Sequence, residues 1–272
     1  MTQIEKTIHM QQGDKGKDEW QHRHDYAETF FKRAIGELPE MESAKAAANL
    51  LADEIQVNDS VLDVGCGAGH YLRSLLERVE VPFTYTGVDA TPEFLDAAEK
   101  AWAKDSRASF RVGDILELPF GDQEFDVVMC NNVLLHLPSI VKPIHELIRV
   151  ARRFVLIRTL IGEKSFRVQE VYSKDTWPFS DVPTPGEFDE AGEPVSFGYE
   201  NIYSKGYFEA ILRRASPEAQ LQFIQDTFFD ADAINRSAET EGLASPTRVV
   251  DGMQVYGYVI TPWHFVLIRL PT

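Results

Sequence analysis

Val61-Leu62-Asp63-Val64-Gly65-Cys66-Gly67-Ala68-Gly69-His70 decides the fold of this chain. The mostly apolar run from Ser60 to Val64 leads into three alternate glycines, and a helical pattern follows from Tyr71 to Val79. This order reads as a buried strand, a tight turn and a helix N-terminus. Glycine lets the backbone turn with positive φ and lets a ligand lie close against it. The start of the helix adds N–H donors that have no partner within the helix.

Two cofactor classes use such a turn. A dinucleotide site asks for Gly-x-Gly-x-x-Gly, with the pyrophosphate on the helix N-terminus. Gly65 and Gly67 fit that pattern, but its third glycine position is His70. Asp63, two residues before the first glycine, opposes a pyrophosphate and suits a ligand that carries positive charge. The pattern Asp-x-Gly-x-Gly-x-Gly resembles motif I of the class I S-adenosylmethionine-dependent methyltransferases, whose cofactor carries a sulfonium and an α-ammonium.

Three further stretches extend the resemblance over roughly residues 55–160. Phe83 to Asp89 reads as a second strand ending in an acid, and Asp89 lies 24 residues after Gly65. Folds of this kind place the ribose-binding carboxylate there. Ala108 to Val112 reads as a third strand followed by Gly113-Asp114-Ile115. The family uses an acid at this point for the adenine amino group and the next apolar residue against the ring. Phe125 to Asn132, leading into Val133-Leu134-Leu135-His136-Leu137, resembles the family's fourth strand and the loop after it.

The resemblance implies an α/β, Rossmann-like, seven-stranded and mostly parallel sheet with helices on both faces. Its implied strand order is 3-2-1-4-5-7-6. Strand and helix patterns alternate through residues 57–160, as a sheet covered on both faces requires. Strands fall near 60–64, 83–89, 108–113, 125–130 and 153–158. Helices fall near 69–79, 92–104 and 140–151. Residues 1–55 read as a polar tail and a helical cap bearing Glu19, Trp20, Tyr26, Phe30 and Phe31. Residues 56–160 form the cofactor-binding core.

Residues 161–206 break the alternation with prolines, acids and aromatics, including Tyr172, Trp177, Phe179, Phe197, Tyr199 and Tyr203. A long irregular segment of this kind is usually functional, and its aromatic content argues against disorder. It reads as an inserted substrate lid; the plainer reading is a flap over an apolar sheet edge. Residues 207–272 return to the sheet, with a helix at 207–214, a strand at 221–228, a hairpin at 249–260 around Gly252 and Gly257, and a final strand at 264–270.

Composition narrows the function classes. The chain of 272 residues has 43 acids against 27 bases, a formal charge of −16. Such a chain repels a phosphate backbone unless it carries a basic patch. Arg152-Arg153 and Arg213-Arg214 are too short for one, so no nucleic-acid partner is expected. No apolar stretch is long enough to span a bilayer. Met1 to Gln12 lacks the apolar core of a signal peptide, which points to the cytoplasm. Cys66 and Cys130 read as buried thiols rather than a disulfide or metal site. His22, His24 and His145 read as exposed or core residues, and no cluster has metal-ligand spacing.

The implied cofactor is S-adenosyl-L-methionine, held by Tyr26, Asp63, Gly65, Cys66, Gly67, Gly69, Asp89, Ala90, Asp114, Ile115 and Asn131. Several of these carry a plainer reading beside that one. Asp89 could cap the next helix, although Thr91 before Pro92 is the better cap and frees Asp89 for the ribose. Asp114 could be a turn acid. Asn131 and Asn132 suit a structural turn as well as a ligand. Asn132, Tyr199 and Tyr203 are the candidates for touching substrate. His136 has two readings, a packing residue under the cofactor or a base for a hydroxyl acceptor.

The expected reaction moves a methyl group to a polar small molecule, on oxygen sooner than nitrogen, with a sugar or related metabolite as one option. The competing expectations are a cofactor-binding regulatory or assembly protein without methyl transfer and, opposed by Asp63 and His70, an NAD-dependent oxidoreductase.

Overall fold

The computed structural model describes residues 24–171, 188–195, 197–241, 247–256 and 259–271. The expectations placed on Glu19, Trp20, His22, Tyr172, Trp177, Phe179 and Gly257 lie outside the described residues. In chain order the helices are α1 (His24–Ala34), α2 (Glu42–Ala52), α3 (His70–Arg78), α4 (Pro92–Trp102), α5 (Val141–Val150), α6 (Lys205–Ala215) and α7 (Ala231–Glu241). The strands are β1 (Asp59–Val64), β2 (Phe83–Asp89), β3 (Ala108–Val112), β4 (Phe125–Asn131), β5 (Ala151–Gly162), β6 (Gln169–Val171), β7 (Phe197–Tyr199), β8 (Tyr203–Ser204) and β9 (Gln220–Gln225). They continue with β10 (Thr247–Val250), β11 (Met253–Tyr256), β12 (Val259–Ile260) and β13 (Trp263–Arg269).

The main sheet runs β3-β2-β1-β4-β5-β13-β9, and β8 adds to the end of β5. β1 to β5 pair in parallel. β13 enters antiparallel between β5 and β9. This is the order 3-2-1-4-5-7-6 that the family resemblance implied. The alternation along each strand sends side chains to opposite faces. Val61, Tyr85, Met129, Phe154 and Phe265 meet Leu51, Leu72 and Leu75 of α2 and α3. Leu62, Val128, Val155 and Val266 meet Ile144, Leu147, Phe208 and Leu212 of α5 and α6. Both faces are apolar and covered, so the carboxyl edge of the sheet is where polar chemistry collects.

Several boundaries differ from the sequence reading. β5 was expected over 153–158 but extends to Gly162, so the inserted segment starts at 163. Its sequence Val155 to Ile161 is apolar except for Arg158 and Thr159, and all seven residues are buried. The strand expected over 221–228 stops at Gln225. Residues 231–241 form a helix that the sequence reading missed. The expected hairpin is present as β10–β11, closed by Asp251 and Gly252 at φ 50° and 76°. Positive φ at both central residues is what a two-residue hairpin turn requires.

Cys66 and Cys130 are free and buried. Arg152 pairs with Asp126, and Arg153 pairs with Asp59 at 2.5 Å. No helix among the described residues is long and apolar enough to cross a membrane, and no group of metal-ligating side chains is present among them.

Candidate functional site

The glycine turn joins β1 to α3 with Gly65, Gly67 and Gly69 at φ 78°, 53° and 70°. Each of these values falls where L side chains are strained. The space beside all three is already filled by protein, with Trp102 Nε1 2.8 Å from where a Cβ on Gly69 would lie. A Cβ on Gly65 would lie 2.3 Å from Val133 Cγ2, and one on Gly67 would lie 3.2 Å from Phe30 Cδ2. The turn therefore needs glycine at 65 so that the loop after β4 can approach, and at 67 so that α1 can lie over it. Phe30 completes that cover by stacking on His70, with ring centroids 4.4 Å apart. Tyr26 packs edge-on against Phe30 at 5.7 Å. The cap helix thus reaches the turn through rings.

Two carboxyl groups stand beside the turn. Asp63 is buried and accepts a hydrogen bond from the Tyr85 hydroxyl at 2.6 Å. Burial pushes its pKa up to about 7, with the nearby charge of Asp89 adding to the rise and the Tyr85 bond opposing it. Asp89 accepts from Gly67 N–H and Thr91 N–H, both at 2.9 Å. Burial raises its pKa as well, against the lowering effect of those backbone bonds. Thr91 holds the expected N-cap position of α4 without a side-chain cap bond, and Asp89 is also engaged by the Thr91 N–H. Asp89 takes the N–H of Thr91, because its carboxylate reaches that donor two residues on. Each carboxylate oxygen still has a second lone pair.

Among the described residues no Lys, Arg or His pairs with either acid. A buried acid and a half-buried one, neither with a basic partner among the described residues, fit a cationic ligand. That is the test which S-adenosylmethionine, implied by the sequence motif, has to pass here. Ala90 is exposed beside Asp89, and Cys66 is buried with its thiol pKa pushed up by desolvation first and by both acids next. Cys66 is thus a neutral packing group.

At the end of β3, Asp114 Oδ1 accepts Leu116 N–H at 2.9 Å, which closes a local turn. Ile115 is buried in the core with Val88 and Leu118. Both residues lie beside the end of β2, since Gly113 N–H donates to the Asp89 carbonyl at 3.0 Å.

The two asparagines at the end of β4 behave differently. Asn132 has φ 61° and both ends of its carboxamide are used. Its Nδ2 donates to the Tyr71 hydroxyl at 3.3 Å and its Oδ1 accepts from Arg158 Nη1. Asn131 is buried, and neither its Oδ1 nor its Nδ2 has a partner among the described residues.

His136 follows on a single 3-10 turn, Leu134–His136. Its Nδ1 lies 2.9 Å from the Tyr199 carbonyl and 3.5 Å from Glu200 Oε1. A carbonyl only accepts, so Nδ1 carries the proton and Nε2 is the acceptor nitrogen of the neutral ring. The segment 197–203 is strapped to this turn. Asn201 donates to the carbonyls of Leu135 and Leu137 at 3.0 and 2.9 Å. The Tyr203 hydroxyl donates to the Leu134 carbonyl at 3.2 Å, and burial pushes its pKa up to about 12. Tyr203 is thereby a brace, with its hydroxyl turned into the fold. Tyr199 is buried and its hydroxyl accepts from Arg167 at 2.7 Å.

Sequence reasoning missed Tyr71, Arg158, Asp226, Glu200 and Asn201. Arg158 was the readable one, since a charge inside an apolar strand is costly unless paired.

Comparison with known proteins adds an independent finding. Residues 61–153 match a family model described as a methyltransferase domain. The chain is 32% identical over 114 residues to norajmaline N-methyltransferase of Rauvolfia serpentina, covering 41% of this chain and 38% of that one. It is 34% identical over 100 residues to 2-methyl-6-phytyl-1,4-hydroquinone methyltransferase of Synechocystis, covering 37% and 31%. The chain therefore spans less than half the length of the curated relatives it matches. A solved S-adenosylmethionine-dependent methyltransferase of Methanosarcina mazei superposes with a TM-score of 0.50 at 16% identity, covering 81% of this chain and 96% of that one.

Proposed function

We propose that the chain, whose residues 61–153 match a methyltransferase domain and whose glycine motif resembles that of the class I S-adenosylmethionine-dependent methyltransferases, transfers a methyl group to a hydroxyl oxygen of a polar small molecule. The observation that carries the choice of oxygen is the fixed tautomer of His136, whose Nδ1 is held by the Tyr199 carbonyl. A hydroxyl acceptor needs a base, and Nε2 is the nitrogen able to take its proton. The name of the alkaloid relative favours a second reading, a nitrogen acceptor.

The bound cofactor supplies an electrophilic methyl group on a sulfonium. The chain's own residues do the rest. Asp89 accepts the ribose hydroxyls, and Asp63 faces the positive end. His136 removes the acceptor proton at Nε2, and Glu200 beside Nδ1 steadies the charge that the ring gains. Residues 197–202, strapped to the His136 turn, serve as the described part of the lid expected over 161–206. They exclude water, which strengthens the contacts inside.

The reading is tested by calorimetry with S-adenosylmethionine, together with release of S-adenosylhomocysteine over a panel of small alcohols, phenols and amines. Micromolar binding, about −8 kcal/mol, and turnover on hydroxyl compounds are expected. Absence of binding sinks the reading. Binding with no turnover on any compound favours a regulatory or assembly protein instead.

Two further results are expected. Asp89→Ala should weaken cofactor affinity by about 1–3 kcal/mol through lost ribose bonds; unchanged affinity removes Asp89 from the site. Asp63 provides a pH signature. Its folded pKa of about 7 lies above the ordinary 3.8. The folded chain therefore keeps a proton that the unfolded chain releases. The stability this contributes is complete below about pH 4 and is lost as pH rises to about 7. A cation favours the ionised carboxylate. Cofactor affinity should thus climb by up to about tenfold per pH unit below 7 and level off above it. Asp63→Asn should flatten the profile, and an unchanged slope in that variant excludes Asp63 as the origin.

A further inference from the structure

Arg158 breaks an apolar strand and is only 4% exposed. Its Nε and Nη2 contact Asp226 Oδ2 at 2.8 and 2.6 Å, and its Nη1 donates to Asn132. Its guanidinium lies 4.0 Å from the centre of the Trp263 ring. Asp226 in turn is fixed by its own N–H, which donates to the Trp263 carbonyl at 2.9 Å. A guanidinium has five N–H donors, and these contacts engage three of them. Asn131 is the register partner of Arg158 on β4. Paired residues in parallel strands share a sheet face, so the unpartnered carboxamide of Asn131 stands beside the unmatched donors of Arg158. Buried polar atoms in folded proteins nearly always have a partner, and leaving one unmade is costly. A ligand group is the partner this corner is built for.

We propose that Arg158 and Asn131 anchor the methyl acceptor, and that they bind a neutral oxygen group, a carbonyl or a hydroxyl, in preference to a carboxylate. The inference rests on the proposed function and gives its acceptor a chemical class. Charge decides the class. Asp226 already cancels Arg158, so the corner offers N–H donors and one carbonyl acceptor with no net charge. A second carboxylate would sit beside Asp226 in a poorly solvated place and meet its repulsion. Position decides the owner. The acids that face the cofactor are on β1 and β2, whereas Arg158 is on β5, two strands beyond β1 and thus roughly 10 Å away at about 4.8 Å per strand. The Trp263 ring provides a flat wall there, and the Asp226 contacts hold the guanidinium in place before any ligand arrives, which lowers the entropy cost of binding. Asn132, whose carboxamide is engaged on both sides, is a positioning residue for Arg158.

The test is a ligand-observed NMR titration of the protein saturated with S-adenosylhomocysteine, using phenol, benzamide and benzoate as probes. Phenol and benzamide should bind about tenfold more tightly than benzoate, as one uncancelled charge contact of about 1.4 kcal/mol would give. Asn131→Leu removes no hydrogen bond from the free protein, so it should stay folded. It should weaken benzamide about tenfold and leave S-adenosylhomocysteine affinity within about twofold. Arg158→Met combined with Asp226→Leu removes both charges together and should erase the preference for neutral probes. Tightest binding by benzoate, or identical probe affinities in all variants, overturns the proposal. Loss of S-adenosylhomocysteine affinity in Asn131→Leu, with the probes unaffected, overturns it by giving the corner to the cofactor. Failure of the wild type to bind S-adenosylhomocysteine is the separate failure of the function reading, and the probe titration on the cofactor-free protein still decides the subsite.

Discussion

His136→Ala is expected to lower turnover by roughly 10²–10⁴-fold while cofactor affinity stays near that of the wild type. The ring is held at Nδ1 by the Tyr199 carbonyl, 2.9 Å away. That bond fixes both the tautomer and the plane of the imidazole, which is what a base needs if it is to meet a proton in the right place. Glu200 Oε1, 3.5 Å from the same nitrogen, stabilises the ring once it is charged. Added imidazole should restore part of the lost rate in the alanine variant, a result that a packing role does not produce. Near-normal turnover without rescue returns His136 to packing. Glu200→Gln should give a smaller loss in kcat with little change in KM, since it acts through His136.

The second large effect falls on stability. Asp226→Ala should destabilise the fold by about 3–5 kcal/mol, because it leaves the Arg158 guanidinium buried without its counter-charge. The side chains of this pair are 5% and 3% exposed, so water cannot take over the role. Replacing both partners, by Arg158→Met and Asp226→Leu together, should bring stability most of the way back. Urea unfolding of the three proteins measures this. A single variant that loses less than about 1 kcal/mol would show that the pair is solvated in solution.

Much of the core was legible because its signals are local. Asp63 with the three alternate glycines, Asp89 at the end of an apolar run, and Asp114 after the third strand are each read within a few residues. Their shared edge follows from parallel pairing alone. The missed parts depend on contacts between distant segments. Asp226 meets Arg158 across 68 residues, and Asn132 meets Tyr71 across 61; neither spacing has a periodicity to betray it. Tyr203 was chosen for its aromatic ring in an irregular segment. Only the fold shows that its hydroxyl holds the Leu134 and Leu137 carbonyls. The positive φ expected of the three glycines is present, and Val133, Phe30 and Trp102 also fill the positions their side chains would take. α7 escaped notice because its sequence, Ala231 to Glu241, has few apolar residues to set a helical stripe.

The place of β13 governs how the molecule is assembled during synthesis. Residues 263–269 pair with 154–160 on one side and with 220–225 on the other. Among the described residues, strand β9 has no neighbour in the sheet except β13. A growing chain that has emerged only as far as residue 260 therefore holds β5 with one open flank, and β9 with nothing to join. Open strand flanks of this kind recruit other chains. Closure of the sheet must wait for its late-made strand, so nascent or truncated forms ending before 263 should depend on chaperones and tend to aggregate. The Arg158–Asp226 contact forms in the same step, because both residues flank β13. The corner that we assign to the acceptor consequently forms only once β13 has joined the sheet.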